Sequence, residues 1–169
     1  FLSPEIIERG NPSAFFKLMR YLSLILLFVT ICFVSCTSDD ETCRESTKVV
    51  LRIGFFNAEN AASASVDSIS IIGIPDGNIF YENVKSASKV EIPLNSKSIV
   101  SEYAIRFNEQ WDTLTVLYHS STYFVSYACG SVFTHDIDTV LVRGPVSKSL
   151  KIPFKLVNTQ NVQHLQIYR

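Results

Sequence analysis

Three histidines, four cysteines and a single tryptophan are the residues of this chain with the most chemistry to offer. Their spacing limits what that chemistry can be. His119, His135 and His164 stand far apart, and neither H-E-x-x-H nor C-x-x-C occurs. No set of ligands at zinc spacing is therefore expected. His119 and His164 fall on the polar side of alternating segments and are expected to be exposed strand residues. Thr134-His135-Asp136-Ile137-Asp138 offers two carboxylates and an imidazole in a short stretch. Calcium takes roughly six to eight oxygens, so this run alone is too poor a donor set. It is expected to be a charge cluster on a loop or edge strand. Gly130-Ser131 follows Cys129 but lacks the G-x-S-x-G of a nucleophile elbow, and no glycine-rich phosphate loop is present. Trp111, Tyr118, Tyr123 and Tyr127 could form a platform for stacking sugars. At a period of two, core or cross-strand positions are the better expectation. No catalytic, metal or cofactor-binding residue is assigned.

The elements that would position these residues follow from composition and pattern. The chain has 169 residues, with 15 Lys+Arg against 16 Asp+Glu and a mean hydropathy of +0.19. Such balance excludes a disordered chain, a collagen and an electrostatic binder of nucleic acid. The hydropathy is concentrated between Phe15 and Ser35; beyond it the period is two nearly everywhere. Val49, Leu51, Ile53 and Phe55 alternate with positions that include Arg52 and Gly54, and the same period holds for Ile69 and Ile71, Tyr103 to Phe107, Leu114, Val116 and Tyr118, and Leu165 with Ile167. Turn signals separate these runs: Pro75-Asp76-Gly77-Asn78, Pro93, Asn108-Glu109-Gln110 and Gly144-Pro145. Ser120-Ser121 is expected to be a tight hairpin leading into Tyr123 to Cys129. Leu150, Ile152, Phe154 and Leu156 read as one further strand. Eight to ten short strands with intervening turns predict an all-β fold, an antiparallel β-sandwich of immunoglobulin-like or related type over residues 48–169.

The apolar segment has a different reading. Met19 is the only Met, and residues 1–18 are read as an over-extended gene start, with a genuine N-terminal extension as the alternative. From Met19, one cation (Arg20) is followed by an apolar run from Tyr21 to Val34, and Ser35 precedes Cys36. That is the anatomy of a signal peptide over residues 19–35. The run is shorter than the ~18–20 residues that cross a bilayer. Phe33-Val34-Ser35-Cys36 resembles the lipobox of bacterial lipoproteins, which implies that Cys36 becomes the first mature residue and carries acyl chains. Residues 36–47 would then be an acidic tether. Its Thr37-Ser38-Asp39-Asp40-Glu41 resembles the signal that directs Bacteroidota lipoproteins to the cell surface; a plain solvated linker is the alternative.

Four stretches in order also resemble a small family of Bacteroidota lipoproteins of uncharacterised function. They are Asp39 to Cys43 with Val49 to Asn57; Val66 to Ile74 with Ile92 to Asn95; Asp112 to Tyr118 running into Phe124 to Gly130; and Asn161 to Tyr168. The resemblance implies an envelope address and an all-β fold, and supplies no catalytic residue.

The expected protein is thus held at the outer membrane or cell surface by acyl chains on Cys36. It would bind or scaffold there, with an envelope protein or a glycan as partner and without nucleic acid. A fimbrial or appendage subunit and a surface glycan-processing enzyme stand as alternatives. With Cys32 in the leader and Cys36 acylated, Cys43 and Cys129 remain. They are expected to form a disulfide in an oxidising compartment, two buried free thiols being the alternative.

Overall fold

The alternation at the start of the folded region builds the first strand. Leu51, Ile53 and Phe55 are buried in strand β1 (Leu51–Phe56), and Gly54 between them packs against the Gln163 side chain. The structure, a computed structural model, describes Lys17, residues 19–26 and residues 42–169. Two compact units divide it, Phe1–Glu41 and Thr42–Arg169. In the first, the described residues are helical and exposed. Among the described residues no helix is long and apolar enough to cross a membrane. Apart from Lys17 the expected over-extended start 1–18, residues 27–35 of the expected signal peptide, and residues 36–41 with Cys36 lie outside the described residues.

The second unit is mostly β and contains two sheets. Beyond β1 its strands are β2 (Val66–Ile74), β3 (Ile79–Ala87), β4 (Lys89–Ile92), β5 (Val100–Phe107), β6 (Gln110–Ser126), β7 (Gly130–Arg143), β8 (Ser149–Lys151), β9 (Leu156–Val157) and β10 (Leu165–Tyr168). The smaller sheet runs β4-β1-β10-β8, and the larger, curled as a half-barrel, runs β3-β2-β5-β6-β7-β9. One hydrophobic cluster draws on both sheets. Leu51, Ile53, Phe55, Val90, Ile92, Leu165 and Ile167 come from the smaller, and Ile69, Ile71, Ile105, Phe107, Leu114, Val116, Tyr118 and Ile137 from the larger. Across the join Phe55 meets Phe107 edge to face, with ring centroids 5.5 Å apart.

Turn chemistry placed several boundaries. Gly77 at φ 70° lies in the β2–β3 turn, and Asn108 at φ 55° in the β5–β6 turn, where Asn108 Oδ1 also accepts from the Ser68 N–H. Both residues are types that tolerate the left-handed region.

Four expectations need correction. The arrangement is antiparallel except for β1 and β10, which pair in parallel from Ile53 with Leu165 to Phe56 with Tyr168. Ser120-Ser121 is not a hairpin. Both residues sit inside β6, and the chain reverses instead between Ser126 and Gly130, where Gly130 takes φ 70°. A serine pair has no residue suited to positive φ, whereas a glycine four residues past the strand pattern does. Leu150 to Leu156 is not one strand: β8 joins the smaller sheet and β9 the larger. Pro153, which has no N–H for a ladder, stands between them. Finally, β3 was absent from the expected strands. It is an edge strand, largely exposed, with Asn83 and Ser86 at positive φ, so it lacks the alternation that marks a half-buried strand.

Candidate functional site

The expected chemical residues separate once their faces are known. His119 is exposed on β6 and its Nδ1 lies 2.6 Å from an Asp138 carboxylate oxygen. Asp138 is the extra residue of a bulge, since Leu117 pairs with Thr139 while Tyr118 pairs with Ile137. His135, by contrast, is buried. Its Nδ1 is 2.8 Å from Ser120 Oγ and its ring meets Tyr118 edge to face. Burial holds the His135 pKa below the ordinary histidine value. Asp136 points to the exposed side, so the Thr134–Asp138 run does not converge on one point. It also lies within a paired strand rather than a loop. Among the described residues no group of three His, Cys, Asp or Glu is placed to hold a metal ion.

The aromatic platform is likewise divided. Tyr118 is fully buried, and its hydroxyl donates to the Asn95 carbonyl (2.8 Å) and lies 2.6 Å from Ser101 Oγ. Trp111 is exposed at the opposite end of β6 from Tyr127 and carries the Arg106 guanidinium 5.6 Å above its ring. Tyr123 and Tyr127 are exposed near the β6–β7 turn. Tyr127 packs edge to face on Phe124 at 5.4 Å between centroids.

That turn is where the two available cysteines meet. Cys43 and Cys129 are joined, with Cα atoms 4.7 Å apart across a sequence separation of 86. A disulfide requires a Cα separation within ~7 Å. The segment ahead of β1 is thereby fastened to the tip of the β6–β7 hairpin.

A groove of about 390 Å³ opens elsewhere, between the β2–β3 turn and the loop from Pro93 to Ser98. Asp76, Asn95, Glu102, Phe80 and Tyr103 line it. Its loop wall is held by buried phenols: Tyr103 donates to the Pro93 carbonyl at 2.5 Å, and Tyr118 holds Asn95. Burial pushes the Tyr103 hydroxyl up to about 12, so it stays protonated and donating throughout the neutral range.

A family model matches residues 68–169. The chain belongs to the DUF6452 family of unknown function. No curated protein and no solved structure matches it.

The DUF6452 match covers β2 from Ser68 and all of β3 to β10, with the groove and the whole β6–β7 hairpin, and leaves β1 and Cys43 outside it. Sequence reasoning missed two buried polar residues that bear on this domain. Asp112, buried in β6, accepts from the N–H groups of Val146 and Ser147 at 3.2 and 2.8 Å and so fastens the loop after β7. The other is His164, expected to be exposed and in fact entirely buried. It lies one residue ahead of β10, where its Nδ1 accepts from the Arg52 N–H at 3.0 Å and its own N–H donates to the Arg52 carbonyl. The Arg52 side chain continues the network, reaching Glu91 Oε1 at 3.2 Å and the Gln160 carbonyl at 2.8 Å. A hydrogen bond from Lys48, with the charges of Lys48 and Arg52, holds the Glu91 carboxyl below its ordinary value despite some opposing desolvation.

Burial, followed by the Arg52 charge, lowers His164 to about 4, with the Leu156 backbone offsetting a little. The folded state thus favours the neutral ring. Its contribution to stability is complete above the unfolded value near pH 6.5, falls as pH drops below that, and is gone by about pH 4. At ~1.4 kcal/mol per unit this amounts to roughly 3 kcal/mol. Urea unfolding at pH 7.5 and pH 4.5 should show wild type losing most of that difference. His164→Asn keeps an acceptor for the Arg52 N–H but has no ring to protonate, and should lose much less. Equal losses in the two proteins would refute the assignment.

Proposed function

We propose that this DUF6452 protein is a lipid-anchored protein of the bacterial outer membrane or cell surface, whose domain is a β-sandwich in type, antiparallel apart from the β1–β10 pair, and acts by binding or scaffolding. Acyl chains on Cys36 hold it there. The observation that carries this reading is the Cys43–Cys129 bridge. Disulfides form and persist outside the reducing cytoplasm, in compartments such as the periplasm and the cell surface. A leader over residues 19–35 would deliver the chain there, and the resemblance to Bacteroidota lipoproteins supports the same address. Anchoring by acylation needs more than one chain, each buried methylene contributing ~0.8 kcal/mol.

The groove supports a binding role. It is concave, its loop wall is pinned by two phenols, and it presents carboxylate, amide and aromatic groups together. An envelope protein or a glycan suits that chemistry. One observation favours the enzymatic alternative: Asp76 and Glu102 both line the groove, as a pair of carboxylates would in a glycosidase. Trp111 lies outside it, against a smaller recess with Arg106. The appendage alternative gains least, because a strand donor needs a free strand and β10, the segment expected to serve, is paired on both sides.

Cys36→Ala in the full chain tests the anchor. The variant should move from the membrane to the soluble fraction and lose metabolic acyl label. If it pellets and labels as before, the reading is wrong. Purified protein should turn over no glycan; turnover abolished by Asp76→Asn or Glu102→Gln would replace binding with catalysis.

A further inference from the structure

We infer that the tip of the β6–β7 hairpin is a membrane contact, a second point at which the protein touches the bilayer surface. β5 pairs with β6 only as far as Leu117, and β9 pairs with β7 only at His135 and Asp136. Beyond these limits, from Ser121 and Thr134 outward to Ser126 and Gly130, the two strands pair only with each other among the described residues. The hairpin therefore runs past the rest of its sheet as a two-stranded arm.

The arm has a distinct surface. From Ser120 to Thr134 no residue carries a charge, in a chain that is 18% charged. Large apolar and aromatic side chains nevertheless stand in solvent there: Tyr127 is 95% exposed, and Tyr123, Phe124 and Phe133 are about half exposed. Phe133 pairs with Thr122, and Phe124 with Ser131, so strand alternation puts Phe124 and Phe133 on one face. Tyr127 stacks against Phe124 at the end of that face. Aromatic rings mixed with hydroxyls and free of charge suit the headgroup level of a bilayer, where one end of a ring is apolar and the other wet.

The position of the bridge supplies the occupant. The inference rests on acylation of Cys36, and Cys43 is seven residues further along the chain. An extended chain spans at most ~3.6 Å per residue, so Cys43 lies within about 25 Å of the acylated residue. Cys43 is bonded to Cys129, which sits in the turn between Phe124 and Phe133. The aromatic tip is thus covalently held close to the bilayer in which the acyl chains are buried.

The experiment uses full-length processed protein, with acylation read by metabolic label. It is reconstituted into phosphatidylethanolamine–phosphatidylglycerol vesicles, plain or brominated high on the acyl chains. Tyr127→Trp in a Trp111→Phe background places the only indole at the tip; both positions are exposed, and a melting curve verifies the fold. The tip indole should be blue-shifted and quenched by the brominated lipid. Trp111 of the wild type, at the far end of the 17-residue β6, should be unaffected. Acylated, vesicle-bound protein with an unquenched tip overturns the inference and leaves the anchor standing. Unacylated protein whose tip is still quenched removes the anchor reading and keeps the contact. Unacylated protein with an unquenched tip removes both. A blue shift without bromine quenching, together with dimers in solution, assigns the tip to a second copy of the chain and overturns the membrane contact.

Discussion

Replacing both Cys43 and Cys129 with alanine should lower the stability of the oxidised protein by as much as about 4–5 kcal/mol, the chain-entropy value for a loop of this length. The bridge spans 86 positions and encloses β1 to β6, so the unfolded chain loses much freedom when it is closed. For a domain of this size the change corresponds to a melting temperature lower by roughly 15–20 °C. Dithiothreitol should produce a similar drop in wild type and none in the double variant. A double variant that melts with the oxidised wild type would show that the bridge contributes nothing. Because ordinary domains are stable by only about 5–15 kcal/mol, the full effect would leave little margin.

Phe55→Ala should be comparably damaging, at about 3–5 kcal/mol. Phe55 is fully buried on β1 and meets Phe107 of β5, so truncation opens a cavity where the two sheets share their core. Denaturant unfolding should register the loss as a lower midpoint with an unchanged slope. A cycle with Phe107→Ala should find a coupling of about 0.5–1.5 kcal/mol, the usual range for an edge-to-face pair. Phe154→Ala is the control: its side chain is half exposed, and the change should stay within about 0.5 kcal/mol. If Phe154→Ala cost as much as Phe55→Ala, the core would be misplaced.

What could be read in advance was local. Pro75 to Asn78 and Asn108 carry their turn chemistry in their own side chains and backbone preferences. The alternation of Leu51, Ile53 and Phe55 reports burial on one face wherever a sheet covers it. The cysteine pair was legible by elimination. The misses arose where neighbours distant in sequence decide the outcome. His164 looks like the polar member of an alternating pair, but it precedes β10 and is covered because β1 lies alongside. Tyr123 and Tyr127 continue the period of β6 and were expected in a core or against a neighbouring strand. They stand in solvent because, among the described residues, no strand beyond the hairpin reaches that far. Periodicity states which residues share a face; it cannot state whether anything lies opposite. The groove was invisible for the same reason, since its walls come from the β2–β3 turn and from a loop held by Tyr103 and Tyr118.

The parallel seam between β1 and β10 bears on the order in which the protein can be made. β1 is the earliest strand of the domain and β10 the latest, yet each is the other's neighbour in the centre of the smaller sheet. During synthesis β1 therefore waits, with one edge open, until Leu165 to Tyr168 have left the ribosome. Pairings so distant along the chain form slowly. The smaller sheet therefore closes only after the larger one has all its strands available, so the two halves of the core are completed at different times. Deleting Leu165–Tyr168 would accordingly remove more than one strand's worth of pairing. It would strand β1 and β8 without their common partner and leave two open edges for other chains to find.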